Sequence, residues 1–318
     1  MHYALNKLLQ AALTIFLVSL IIFLLFQIIP GEPILSRIGD TADPALEEAL
    51  RIQYGLDKPA PERYLVWIRG VFRGDLGVSI RFDRPVSALM LERLPNTMAL
   101  SSMALVMIIA FGLPLGIAAA RFSRDARGIV FNLFTQIGTS IPSFFLAILL
   151  LLLFSVRLGW FDVMGYVSPE QGMFPFLKGL FLPALAVAVA SMATLARYTR
   201  SSVLEQLSMD YVRTARNKGV TQRRILYGHV LRNALIPILT ILGILVTNVL
   251  SGAIVIESAF SIPGLGSLLH GGIKNRDLPL VQGISLYISA VVVAMFYLID
   301  ILYSVVDPRV GEGRGGKQ

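Results

Sequence analysis

Residues 97–120 read TMALSSMALVMIIAFGLPLGIAAA, twenty-four residues without one charged side chain. At about 1.5 Å per residue a helix of that length covers about 36 Å, more than the roughly 30 Å hydrocarbon core of a bilayer. Lipid offers no partner to backbone N–H and C=O groups, so such a segment crosses as a helix. Five further stretches have the same character: Leu8–Ile29, Gly128–Val156 (which contains Pro142), Gly179–Ala196, Ala234–Ile256 and Leu278–Ile299. Leu8–Ile29 is followed by Pro30-Gly31-Glu32-Pro33 and not by a small-residue cleavage site, so it reads as a retained span and not as a signal peptide. The expectation is an all-α integral membrane protein with six transmembrane helices. Composition points the same way: 15% of the 318 residues are charged, against about 25% in soluble domains, and the mean hydropathy is +0.70.

Orientation follows from the short loops, where Lys and Arg favour the cytoplasm. With the N-terminus inside, the inner segments hold fifteen basic residues, eight of them in 197–232, and the short outer loops hold four. Both termini are therefore expected in the cytoplasm, and residues 30–96 outside. The net charge of +8 needs no nucleic acid, because most of the basic residues flank apolar spans.

The sequence carries no G-x-x-x-x-G-K-[ST], G-x-S-x-G or H-E-x-x-H motif, no cysteine, and three widely spaced histidines, His2, His229 and His270. No catalytic residue, metal site or nucleotide site is expected in this chain. No ionisable residue lies centrally in a span; Glu257 and Asp300 stand at span ends, which disfavours an ion-coupled secondary transporter. The absence of a catalytic cluster disfavours a membrane enzyme or scaffold. Uncharged polar residues do occur at depth. Asn132, Gln136 and Ser140 in the third span, with Thr247, Asn248 and Ser251 in the fifth, are candidates for lining a pathway, against the alternative of gluing helices together.

Segment 30–96 is too long for a bare connector and has helical periodicity. Tyr64, Trp67, Ile68, Val71 and Phe72 form one stripe, and Pro44 with Glu47 and Glu48 marks an earlier helix start. The product is a cap of short helices on the outer face, either packed on its own spans or docking an external partner.

The remaining feature is residues 210–237, DYVRTARNKGVTQRRILYGHVLRNALIP, with six Arg/Lys against one carboxylate. Val203, Leu207, Tyr211 and Ala215 recur every four residues and predict one apolar stripe on a helix that ends at Gly219, a left-handed cap. Thr221 then N-caps a second short helix to about Asn233, and Pro237 falls in the first turns of the next span. Topology explains the charge, and anionic lipid would attract such helices at about 1 kcal/mol per basic residue. An apolar face on a helix set off by an elbow is better explained by docking into a groove of a cytoplasmic partner.

Tyr211-Val212-Arg213-Thr214-Ala215-Arg216-Asn217-Lys218-Gly219, followed by Leu231-Arg232-Asn233-Ala234-Leu235-Ile236-Pro237, resembles the "EAA" loop of bacterial ABC-importer permeases, and more narrowly their dipeptide/oligopeptide/nickel branch. Pro30-Gly31-Glu32-Pro33, Gly55-Leu56-Asp57-Lys58-Pro59 and Gly74-Asp75-Leu76-Gly77-Val78-Ser79 are similar to that branch as well. So are Glu257-Ser258-Ala259-Phe260, Pro263-Gly264-Leu265-Gly266, Arg276-Asp277-Leu278-Pro279 and Asp307-Pro308-Arg309. Arg213 stands where the general motif has its first Glu, Thr214 replaces the first Ala, and the Pro lies farther from the Gly; the peptide branch commonly shows the same departures.

The resemblance implies a type I ABC importer permease fold, N-in/C-in, divided as 1–29 (first span), 30–96 (outer cap), 97–306 (spans two to six, with a cytoplasmic coupling loop at 197–233) and 307–318 (cytoplasmic tail). It implies that Val203, Leu207, Tyr211, Arg213, Thr214, Ala215, Arg216, Lys218 and Gly219 couple to an ATPase. It also implies that Tyr64, Trp67, Glu257, Arg276 and Asp277 serve the outer gate or meet a binding protein. The implied partners are a second homologous permease, two ATP-binding-cassette subunits that hold ATP and Mg, an extracytoplasmic substrate-binding protein and membrane lipid. The expected location is the bacterial or archaeal plasma membrane. The expected cargo is a di- or oligopeptide or a glutathione-like peptide; the alternative is nickel, another chelated metal or a small sugar.

Overall fold

The computed structural model describes residues 2–28, 44–53, 55–123 and 125–306, and the regular structure in them is helical apart from one isolated bridge between Val78 and Pro85. The motif Pro30-Gly31-Glu32-Pro33 and the tail 307–318, with Asp307-Pro308-Arg309, lie outside the described residues, as does the side chain of Asp300. In order the helices are α1 (His2–Ile28), α2 (Pro44–Gln53), α3 (Ala60–Val71), α4 (Val86–Arg121), α5 (Ala126–Ser140), α6 (Ser143–Arg157), α7 (Met173–Leu207), α8 (Asp210–Asn217), α9 (Gln222–Ala259), α10 (Leu265–Lys274) and α11 (Leu278–Val306). Five of them, α1, α4, α7, α9 and α11, are long and apolar enough to cross a membrane.

The third expected span is not one rod. α5 and α6 pass the same test only as a pair, bent by 100°. The cause is Pro142: the residue before a proline is driven out of the helical region, and Ile141 is extended (φ −87°, ψ 120°). Pro142 itself then caps the start of α6. The fourth span is longer than its uncharged core: α7 runs 35 residues and carries Pro183 inside it.

Two compact units emerge from the packing, Met1–Met98 with Ile262–Tyr297 and Ala99–Ser261 with Leu298–Gln318. In the first, α1 turns most of its surface outward, with Leu8, Leu13, Phe16, Leu17 and Ile21 all about half exposed or more. Its buried strip is short: Phe23 meets the ring of Tyr64 edge-on at 5.2 Å, and Ser19 Oγ lies 2.9 Å from Tyr64 Oη. α10 is pinned at its start, where the Leu265 N–H donates to Thr97 Oγ1 (2.8 Å) and Asn96 Nδ2 donates to the Pro263 carbonyl (2.8 Å).

The second unit is organised around α7, whose Ala-rich middle buries Ala184, Ala186, Ala188, Ala193 and Ala196. With little driving force for apolar burial between helices in lipid, close backbone approach supplies the contact energy. α4 approaches through Gly112-x-x-x-Gly116: a Cβ on Gly116 would stand 2.5 Å from the Ala196 carbonyl oxygen and from Thr199 Cβ. Gly138 of α5 meets Ala193 in the same manner.

Candidate functional site

The basic loop folds differently from the single striped helix that its periodicity predicts. α7 ends at Leu207; Ser208 caps it, Met209 is extended (φ −73°, ψ 150°), and α8 begins afresh at Asp210. Val203 and Leu207 therefore lie on α7, while Tyr211 and Ala215 lie on α8, so the four do not share one helix. Val203 is fully buried, Leu207, Tyr211 and Ala215 are half-buried, and Tyr211 Oη reaches back to Gln206 Oε1 (2.9 Å). The anchor of α8 is Val212, 1% exposed. Its outward side presents Arg213, Thr214, Arg216 and Asn217, with Lys218 just beyond.

Gly219 does what its position predicts. It sits at φ +75°, its N–H donates to the Arg216 carbonyl (2.9 Å), and the Val220 N–H donates to the Ala215 carbonyl (3.1 Å). This closes the last turn of α8 through a left-handed residue, a conformation that only glycine adopts cheaply. Downstream, the expected short second helix and the expected fifth span are one helix. α9 begins at Gln222, passes through a π turn at Ile225–Val230 and continues to Ala259. No breaker stands near Asn233, and Pro237 consequently lies well inside the helix and not in its first turns. Thr221 has the extended backbone of a capping residue but makes no side-chain cap.

Of the polar residues expected along a pathway, Asn132, Gln136 and Ser140 lie exposed at successive i, i+4 positions of α5, and Asn248 and Ser251 are exposed on α9. Ser140 returns its hydroxyl to the Gln136 carbonyl (2.8 Å), as Thr135 and Thr139 do to Asn132 and Gln136, which leaves the two amides facing outward. Thr247 Oγ1 is buried without a hydrogen-bond partner among the described residues.

The five residues expected at an outer contact differ in burial. Tyr64 is held against α1 and Trp67 is half-buried beside it, ring centroids 6.2 Å apart. Glu257, on the last turn of α9, is fully buried. Asp277 is fully buried too. Its carboxylate accepts from Ser79 Oγ (2.5 Å) and from the N–H groups of Ile80 (3.1 Å), Arg81 (3.1 Å) and Leu280 (3.3 Å). Tyr64, Glu257 and Asp277 therefore present no surface to another protein from this fold. Arg276 remains exposed, as do Leu65, Val66 and Phe72 of the cap. The stripe that predicted α3 is half right, since Phe72 at its end is 86% exposed. The Asp277 clasp escapes sequence reading because three of its four partners lie almost two hundred residues upstream; a lone acid just before the N-terminus of a span is the available signal.

Comparison with known proteins turns these features into a family. Residues 112–312 match the model of the binding-protein-dependent transport system inner membrane component, and residues 1–101 match the N-terminal model of such membrane components. A Brucella abortus (strain 2308) protein provisionally named a peptide transport system permease is 41% identical over 309 residues, covering 96% of this chain and 98% of the relative. The oligopeptide transport system permease protein AppB of Bacillus subtilis (strain 168) is 38% identical over 299 residues, 92% of this chain and 94% of the relative. A peptide ABC transporter permease protein of Sinorhizobium fredii (strain NBRC 101917 / NGR234), y4tP, is 35% identical over 308 residues, 97% and 98%. The chain is a multi-pass membrane protein and belongs to the family of binding-protein-dependent transport system inner membrane components, as a permease subunit and not an enzyme.

Proposed function

We propose that this chain forms half of the translocation pathway of an ATP-driven importer of short peptides, and that α8 is the element through which partner ATPases move it. The observation that carries the reading is the construction of α8. It is a short helix fixed to its own chain by one buried valine and a glycine turn, with Arg213, Thr214 and Asn217 turned outward. The apolar side that periodicity singled out is spent on the chain's own packing, so the ATPase meets the polar side: charged groups set register and rate of docking, and the half-buried Tyr211 and Ala215 border the contact. ATP and Mg bind in the ATPase subunits. Their closure drives the spans between two packed states, a rigid-body switch carried by long helices such as α7, which ends one residue pair before α8 begins.

The second permease is a homologous chain, and the exposed amides of Asn132, Gln136 and Asn248 face it or the hydrated path shared with it. An extracytoplasmic binding protein delivers the cargo against the exposed side of α3 and its C-terminal corner, Leu65, Arg69 and Phe72. Peptide is favoured over a metal chelate or a sugar by the names of the relatives matched over nearly the whole chain.

The test is reconstitution of the permease with its ATPase and binding-protein partners in vesicles. Gly219→Pro, which removes a bonded N–H and forbids φ +75°, is expected to leave insertion intact and to abolish stimulation of ATP hydrolysis by loaded binding protein. Normal stimulation in that variant overturns α8 as the coupling element. Uptake of labelled tripeptide, competed by unlabelled peptide and not by nickel chelate or disaccharide, tests the cargo separately.

A further inference from the structure

The second unit contains a recess of about 600 Å³ that import does not explain. It lies where α4, α7 and α8 end and α9 begins, and its walls include Arg121, Arg216, Arg223, Asp125, Leu207 and Tyr227. Three guanidiniums and one carboxylate give it a net positive charge, and none of the four makes an ion pair among the described residues. Arg121 lies 5.4 Å from the centre of the Phe122 ring instead. Bringing three like charges to one concavity is unfavourable unless an anion occupies it or water screens it.

Depth decides which anion. Arg121 comes directly after the uncharged run 97–120, which at about 1.5 Å per residue spans the whole hydrocarbon core, so its guanidinium stands at headgroup level. The Lys/Arg bias puts this end on the cytoplasmic leaflet, where anionic lipids collect. Tyr227, 59% exposed, has the amphipathic ring typical of that level, and Leu207 adds an apolar wall that a soluble anion would not use. We infer that the recess bounded by Arg121, Arg216 and Arg223 is a binding site for the phosphodiester headgroup of an anionic phospholipid. Arg216 belongs to α8, so the bound headgroup bridges the end of a span to that short helix and holds it at the membrane surface. Lipid binding itself does not rest on the import reading.

The experiment uses the full-length chain in neutral detergent micelles, titrated with phosphatidylglycerol, phosphatidylcholine or inorganic phosphate, with retained lipid read by native mass spectrometry. Phosphatidylglycerol is expected to be retained at least tenfold more strongly than phosphatidylcholine. Arg121→Gln/Arg223→Gln removes that preference, Arg121→Lys/Arg223→Lys keeps part of it, and Arg73→Gln, an exposed basic residue far along the chain from the recess, leaves it unchanged. Equal retention of the two lipids overturns the site, as does an equal loss in Arg73→Gln. If the Gln pair fails to fold, the Lys pair decides: a preference equal to wild type overturns the proposal, because guanidinium forks bind phosphate in a way that ammonium groups do not. Inorganic phosphate that competes at the same concentration overturns lipid as the occupant. Loss of the lipid on adding the ATPase subunits assigns the recess to a partner's carboxylates and overturns it as well.

Discussion

Helices α8 and α10 stop in the same way. In α8 the Gly219 N–H bonds the Arg216 carbonyl and the Val220 N–H bonds that of Ala215; in α10 the Arg276 N–H bonds the Ile273 carbonyl (3.1 Å) and the Asp277 N–H bonds that of Gly272 (2.9 Å). The residue in the left-handed position is Gly219 at φ +75° in one and Arg276 at φ +56° in the other. A left-handed L-residue costs about 1–2 kcal/mol, so the second turn needs outside support where the first does not. That support is the next residue. Asp277 is buried and accepts three N–H bonds and one hydroxyl bond, so the corner is fixed by side-chain chemistry, while the α8 elbow is fixed by backbone preference alone. The same turn thus serves as a rigid corner or as a pliable joint, according to whether the residue after it is clasped. An element that transmits motion from a partner suits the second kind.

Breaking the corner gives the largest expected effect. Asp277→Ala strips four donors of their acceptor, and hydrogen bonds to a charged group are worth roughly 1.5–3 kcal/mol each, though not additively. A loss above about 3 kcal/mol is expected, read as a lowered thermal midpoint of the purified chain in detergent and poor accumulation in the membrane. A midpoint within error of wild type removes the contrast between the two turns.

The elbow yields next. Val212 is the one fully buried residue of α8, and Val212→Ala deletes two buried methyl groups, a cost of about 2 kcal/mol with the cavity included. Because that loss is local, it is expected to loosen α8 without lowering the global midpoint. Faster amide exchange over 210–219 than in wild type, with α7 unchanged, would establish the separation; equal exchange in both would mean that α8 is held by contacts other than Val212.

The two sites differ in how far the sequence alone reveals them, and the reason is physical. Apolar runs announce spans because lipid demands them, and Gly219 announces its turn because its φ is a local property; both are readable from residues in a row. The break at Ser208-Met209 is not, since neither residue is a helix breaker and the periodicity of Val203, Leu207, Tyr211 and Ala215 runs straight across it. The fusion of the second loop helix with the fifth span is hidden for the converse reason: Pro237 has the look of a boundary and lies inside α9. In the candidate site, the residue types of α8 are legible but the side that faces outward is not, because periodicity shows that a face is apolar and not what covers it. Motifs alone would put Asp277 and Tyr64 at a contact surface. Their burial depends on Ser79 and Ser19, residues that only the folded chain brings near. Gly112 and Gly116 carry the spacing of a helix-packing pair, a signal as local as Gly219.

Gly219→Ala is a milder break of the elbow. A methyl at φ +75° meets nothing within 4 Å, so the cost is conformational only, about 1 kcal/mol. If α8 is a joint, that shift in its seating is expected to reduce binding-protein-stimulated ATP hydrolysis by several-fold in the reconstituted system, with basal hydrolysis and the thermal midpoint little changed. Unaltered stimulation would show that the elbow tolerates strain as the outer corner does.

The smallest effect runs the other way. Arg276→Gly relieves the left-handed strain that Asp277 now holds in place, and its side chain is exposed, so little packing is lost. Glycine also gains freedom in the unfolded chain, which takes back part of the relief, and the net expectation is a stabilisation below about 1 kcal/mol. That is a rise of a few degrees at most in the thermal midpoint. Combined with Asp277→Ala it is expected to recover more than it gives alone, because without the carboxylate nothing offsets the strain. An excess over additivity of about 0.5 kcal/mol or more between these neighbours is the signature sought. Strict additivity would mean that Arg276 is strained for a reason unrelated to the clasp.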